Sequence, residues 1–129
     1  MALRDPVDKN LMRMEGRRFA LRCETQIFSI ERADTLREIS RLASSITLPY
    51  SVTEDYAARE ALRMVQMRAE DRARELIEEQ IQIFARAEEH YRAKQKRAML
   101  DAWTNLTGPL GHLRTWAQNK LAAVEQQDN

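Results

Sequence analysis

The chain has neither glycine nor proline between residues 50 and 107. These two residue types are the strongest breakers of regular backbone, so this long segment can continue as helix without interruption. Only three glycines and three prolines occur among 129 residues, and 32% of the residues are charged. Such a composition is typical of an all-helical protein.

Signals for the start and the end of a helix flank this segment. Ser51 and Glu54 have the spacing of a capping box, in which two side chains pair with amides that a helix start leaves unpaired. Gly108 and Pro109 follow the segment, and together they end a helix. The pattern predicts a helix over about residues 52–107, roughly 84 Å long at 1.5 Å per residue.

A first helix is predicted over about residues 6–46. Asp5 and Pro6 are a suitable cap and first-turn residue for it. Gly16 lies inside this helix at a cost of about 1 kcal/mol relative to alanine, so whether it bends or breaks the helix stays open.

The connections between the helices complete the predicted fold. Pro49 forces the preceding residue out of helical geometry and so marks a short link, which favours antiparallel neighbours. A third helix fits residues 110–125, where apolar residues recur at helical spacing. We therefore predict one all-α domain over residues 1–129. It is an elongated antiparallel hairpin of two long helices, with the short third helix folding back at its open end.

The predicted first helix is apolar on two opposite sides, whereas the hairpin supplies one neighbour. One side contains Phe19, Cys23 and Ile27. Because an exposed second side would be costly and prone to aggregation, we predict a protein interface there. The alternative is that the third helix or a kink at Gly16 covers it within one chain. The predicted interface residues are Met14, Leu21, Phe28, Leu36, Ile39, Ala43 and Ile46.

Gln80 lies within the apolar stripe of the predicted second helix. A polar residue in such a stripe can set the register between helices. A solvated glutamine at the edge of the stripe is an equal alternative.

Side chains that carry chemistry are few. Cys23 lies on an apolar helical face, which indicates a small buried hydrophobe rather than a nucleophile. His90 lacks the glutamate three positions earlier that a carboxylate-bridged metal site requires. No glycine-rich phosphate loop is present. We therefore expect no enzymatic activity, no cofactor, no metal and no small-molecule substrate.

One basic cluster offers a function of a different class. Arg92, Lys94, Lys96 and Arg97 place four cations within six residues. Such a cluster can bind phosphates, and this makes a nucleic-acid-binding accessory protein the rival hypothesis. The ordinary interpretation is a solvated helix surface, because cations alternate with acids on most soluble helices. The formal net charge of the whole chain is only +1, so its total charge gives no bulk attraction to nucleic acid.

These observations favour a non-enzymatic protein whose function is carried by helix packing. We expect a homo-oligomer, with a dimer as the first choice, or a subunit of a larger complex. A helical chaperone or adaptor for a client protein is a further alternative. No apolar run reaches the ~20 residues that span a membrane, and the lone cysteine fits a reducing compartment, so a cytoplasmic location is expected.

Overall fold

The computed structural model describes residues 6–127. Asp5, the predicted cap of the first helix, lies outside the described residues. Within them the fold is all-helical, as predicted, and no strand occurs. Residues 6–127 form five α-helices, which are α1 (Pro6–Glu31), α2 (Leu36–Ser44), α3 (Tyr56–Arg86), α4 (Glu89–Trp103) and α5 (Leu113–Gln127), with short 3₁₀ turns at Tyr50–Val52 and Gly108–Leu110.

The predicted helix over residues 6–46 is wrong, because the chain breaks between α1 and α2. Thr35 has extended backbone and its side chain accepts a hydrogen bond from the amide of Glu38, at 3.1 Å, which starts α2. The carbonyl of Ala33 in the break accepts a hydrogen bond from Arg72 Nε of α3, at 3.1 Å. The break is thus stabilised by a local cap and by a contact from a distant helix.

The predicted helix over residues 52–107 also differs from the structure. Its start lies at Tyr56 instead, where the Asp55 side chain accepts a hydrogen bond from the amide of Ala58, at 2.9 Å. Asp55 is therefore the cap of α3, and Ser51 lies within the preceding 3₁₀ turn.

A second break separates α3 from α4 at Ala87 and Glu88, both of which have extended backbone. Arg92 stabilises this break, because its Nε donates to the carbonyl of Ala87 at 3.1 Å and its Nη2 to the carbonyl of Ala85 at 3.2 Å. A charged donor thus satisfies carbonyls that the end of α3 leaves unpaired. No glycine or proline marks this break.

The predicted antiparallel hairpin is replaced by a parallel pair. Gly16 of α1 lies against Asp55 at the start of α3. Ala33, after the end of α1, contacts Arg72, farther along α3. From the first contact to the second, both segments advance by 17 positions, so α1 and α3 run in the same direction. The chain returns between them through α2, where Gln26 Nε2 of α1 donates to the carbonyl of Leu42, at 2.7 Å.

The second half of α3 packs against α4 and α5. Trp103 Nε1 at the end of α4 donates to Gln80 Oε1 of α3, at 2.9 Å. Gln80 thus makes a polar contact between two helices that the sequence predicts as one, and its role in the register against the first helix stays a prediction. Lys96 of α4 pairs with Glu125 of α5, also at 2.9 Å. The third predicted helix is α5, which begins three residues later than predicted because Gly108–Leu110 forms a 3₁₀ turn.

One apolar core joins all five helices. Alanines at positions 58, 69 and 73 of α3 are fully buried, and their small side chains let neighbouring helix axes approach closely. Larger side chains fill the remaining space, and those that are almost completely buried include Phe19, Ile30, Ile39, Ile77, Met99, Leu106, Leu110 and Leu113.

Gly16 does not break α1, and its role is to make room for Asp55. A Cβ atom at position 16 would lie 2.3 Å from Asp55 Oδ2. Alanine inside a helix normally stabilises it by about 0.5–1 kcal/mol relative to glycine. We expect Gly16→Ala to lower the free energy of unfolding by about 1 kcal/mol instead, because it displaces the cap of α3. Urea denaturation measures this change.

The matched control uses the Asp55→Ala background. There the cap is already lost and the clash is relieved, so Gly16→Ala is expected to stabilise the protein. A stabilising effect of Gly16→Ala in the wild-type background would contradict the close contact between α1 and Asp55.

Candidate protein-binding face on the first helix

The outward side of α1 carries large apolar side chains that remain in solvent. Met14, Leu21 and Phe28 are 52%, 62% and 55% exposed, respectively. Leu11, three positions before Met14, is also about half exposed. We call these four residues the outer face. Leu11 was missed in the sequence analysis, although its helical spacing from Met14 could have revealed it.

The outer face results from the helical period. Leu21 and Cys23 are two positions apart, which is about 200° around the helix axis, so they lie on opposite sides. Cys23 is buried, and so are Phe19 and Ile30 on the same side. Packing of this inner side against the rest of the chain fixes the orientation of α1 and leaves the heptad-spaced residues in solvent.

The predicted interface therefore contains two groups of residues with different surroundings. Met14, Leu21 and Phe28 are exposed, whereas the four residues predicted after them are buried in the core of the chain itself. The prediction of an outward position for these four was wrong, because the break after α1 turns α2 onto the core. The buried residues are Leu36, Ile39, Ala43 and Ile46.

Charged residues flank the outer face. The guanidinium carbon of Arg32 lies 3.4 Å from the centroid of the Phe28 ring, a cation–π contact at the end of α1. Arg17, Arg22 and Glu24 are exposed beside the apolar side chains, and Glu15 is partly exposed. A half-exposed apolar strip with a charged rim is typical of a protein-binding surface.

The basic cluster on α4 is only partly available to a ligand. Arg92 is half-buried and bonded to backbone carbonyls, and its guanidinium lies 5.8 Å from the Phe84 ring centroid. Lys96 is paired with Glu125. Lys94 and Arg97 are exposed. Two of the four predicted phosphate-binding cations therefore have roles in packing.

The arginines of α1 do not extend this cluster. Arg18 and Arg22 lie beside the 3₁₀ turn, where they and Val52 line one groove. That turn directly precedes α3, whereas the cluster on α4 follows the end of α3. The structure thus separates the two basic groups that an antiparallel hairpin would have brought together.

The chemically reactive side chains have structural surroundings. Cys23 is buried, and burial raises the pKa of its thiol, which confirms the prediction of a small buried hydrophobe. The His90 ring is exposed and lies 4.0 Å from the Tyr91 ring, between centroids. Across residues 6–127 no group of three or more histidine, cysteine, aspartate and glutamate side chains is arranged to hold a metal.

The second histidine takes part in a contact between helices. His112 Nε2 lies 3.2 Å from Glu70 Oε1, and Arg74 Nη2 donates to the same oxygen at 2.7 Å. Burial acts to raise the pKa of Glu70, but the hydrogen bonds from His112 and Arg74 hold it below its usual value. The charged carboxylate therefore links α3 to the residue that precedes α5.

No helix in the described part of the chain combines the length and the apolar character needed to cross a membrane. Neither a protein-family model, nor a curated protein, nor a solved structure matches the sequence or the fold. The functional assignment therefore depends on the surface chemistry of this chain.

Proposed function

We propose that this protein is a non-enzymatic assembly subunit that associates with a second copy of itself through the outer face of α1. The observation that carries the proposal is the exposure of Met14, Leu21 and Phe28 at seven-residue intervals on one side of a helix whose other side is buried. A seven-residue repeat of large apolar side chains is the pattern with which helices pair.

The energetic argument concerns apolar area. Complete burial of a leucine, methionine or phenylalanine side chain is worth ~1.5–3 kcal/mol, and these three retain about half of their exposure. Association through the outer face would gain that remaining part at several positions at once. Within the part of the chain that the structure describes, the other exposed apolar residues, such as Ile83, form no comparable row.

The alternative occupant is a client helix, which would make the protein a chaperone or adaptor. This alternative uses the same outer face of α1, but it requires the isolated protein to be monomeric. The lone cysteine and the absence of an apolar spanning run support a cytoplasmic location as part of the proposal.

Leu21→Lys tests the proposal at the centre of the outer face. Lysine is a good helix former, so α1 is expected to stay intact, while a charge at this position opposes association. We expect the wild type to be dimeric at micromolar concentration in sedimentation equilibrium and the variant to be monomeric, with an affinity loss of at least about thirtyfold, or ~2 kcal/mol.

Ile83→Lys is the matched control, because it introduces the same charge at an exposed aliphatic residue of α3. It is expected to retain the dimer. A wild type that stays monomeric at all concentrations would overturn self-association and favour the client hypothesis. A Leu21→Lys variant that remains dimeric would exclude the outer face.

A further inference from the structure

The outer face has the full pattern of a coiled-coil seam. Leu11, Arg18 and Thr25 each precede one of the heptad-spaced residues by three positions, and alternating steps of three and four along a helix form the a and d positions of heptads. All six seam residues are exposed. Arg18 and Thr25 make the seam partly polar, which lowers affinity but can specify register.

We infer that α1 pairs with α1 of a second copy in the antiparallel direction, with Arg18 of each copy opposite Leu21 of the other. This inference rests on the proposed function and specifies the geometry of the complex. It places Met14 opposite Thr25 and Leu11 opposite Phe28, each pair occurring twice by symmetry. The arginine stem can lie along the leucine while the guanidinium stays in water.

Charges beside the seam favour this direction. Arg17 and Glu24 lie along one edge of the seam, and Glu15 and Arg22 lie along the other edge. In an antiparallel pair, each edge faces the corresponding edge of the second copy. The proposed register then places Arg17 opposite Glu24 of the second copy on one edge. On the other edge it places Glu15 opposite Arg22. By two-fold symmetry, four contacts of opposite charge surround the seam.

The parallel arrangement places like charges together. In a parallel pair the edge that carries Arg17 faces the edge that carries Arg22 in the second copy, five residues farther along. Arg17 therefore meets Arg22 of the second copy, and by symmetry this contact occurs twice. Arg18 also meets its own copy in the seam. Like charges at such short distance are destabilising, so the sequence of α1 disfavours parallel pairing.

The flanking charges are available for these contacts. Within residues 6–127, none of Glu15, Arg17, Arg22 and Glu24 takes part in an ion pair inside the chain. The guanidinium carbon of Arg22 lies 5.9 Å from the Phe19 ring centroid. Pairing between copies therefore breaks no salt bridge within a copy.

Charge reversal tests the direction and register, with the dissociation constant measured by sedimentation at low salt. In the antiparallel dimer the carboxylate introduced by Arg17→Glu faces Glu24 of the second copy. Two attractive pairs therefore become repulsive, and we expect dimerisation to weaken about tenfold. Glu24→Arg should have the same effect. The double variant Arg17→Glu/Glu24→Arg restores opposite charges and is expected to recover wild-type affinity within about threefold.

The parallel dimer predicts a different result for the same variant. There the carboxylate introduced at position 17 would face Arg22 of the second copy, so Arg17→Glu would tighten the dimer. Tighter binding, or a double variant that stays as weak as the single ones, would overturn the antiparallel register.

Disulfide trapping tests the geometry independently of charge. Met14→Cys and Thr25→Cys chains, one of them carrying a mass tag, are mixed and oxidised. We expect the mixed cross-link, because the two positions face each other. Position 14 of one copy and position 14 of the other lie 11 residues apart along the pair, about 16 Å, and so do the two positions 25. This distance is too long for a disulfide. The native Cys23 is buried, so the wild type is the control without cross-links.

The two levels of the proposal fail in different ways. A dimer that Leu21→Lys dissociates but that forms only cross-links between identical positions would retain the proposed function and overturn the antiparallel pairing. A wild type without self-association would overturn both.

Discussion

Phe19→Ala is expected to lower the free energy of unfolding by about 3–5 kcal/mol, whereas Phe28→Ala on the same helix should change it by about 0.5 kcal/mol or less. Phe19 is 2% exposed, and its removal leaves a cavity in the core between α1 and its neighbours. Phe28 is 55% exposed and leaves no cavity within the chain. Both changes remove the same atoms from one helix, so the difference between the two losses in free energy of unfolding measures the contribution of burial.

Thermal and urea denaturation of both variants test this pair. The chains should be dilute enough to be monomeric, because association stabilises the folded state in a concentration-dependent way. A loss of about 3 kcal/mol corresponds to a melting temperature lower by roughly 10 °C or more in a chain of this size. At high concentration we expect Phe28→Ala to weaken the dimer. Similar losses from both variants under monomeric conditions would contradict the orientation of α1.

Ile39→Lys is expected to abolish folding. Ile39 has no exposed surface, and it packs in the core from the middle of α2. The substitution removes the burial energy of isoleucine, about 2–5 kcal/mol, and adds the cost of a buried charge. Together these losses are comparable to the total stability of a small domain, about 5–15 kcal/mol.

Circular dichroism and one-dimensional proton NMR measure the result. Leu21→Lys is the matched control, because it changes a residue of the same predicted interface to lysine and should stay folded. The sequence interpretation placed both residues in one outward stripe and predicts folded proteins in both cases. A folded Ile39→Lys variant with wild-type melting behaviour would show that α2 does not pack on the core.

Local signals in the sequence were sufficient for the helical class and for much of α1. The distribution of glycine and proline and the 3.6-residue period located the buried side at Phe19 and Cys23 and the exposed side at Met14, Leu21 and Phe28. These features depend on backbone propensity and on the residue spacing within a single helix. They can therefore be read without knowledge of which helices are neighbours.

The first break carries a sequence signal for the start of a helix. Thr35 and Glu38 have the same capping spacing as Ser51 and Glu54, and the structure uses Thr35 as a cap. At the second site the structure uses Asp55 rather than Ser51. Capping patterns are short and recur by chance, so sequence alone does not decide which of them a chain uses.

The sequence by itself determined that this protein is helical and that α1 has two apolar sides. Only the tertiary structure decided that α1 and α3 are parallel, that α2 folds onto the core and that the outer face ends at Phe28. The reason is that the breaks at 32–35 and 87–88 are stabilised by Arg72 and Arg92 through bonds to backbone carbonyls. The local sequence around Arg72 and Arg92 resembles that of an arginine on a solvated helix surface. Only the packing of the whole chain brings each of these arginines to a backbone carbonyl.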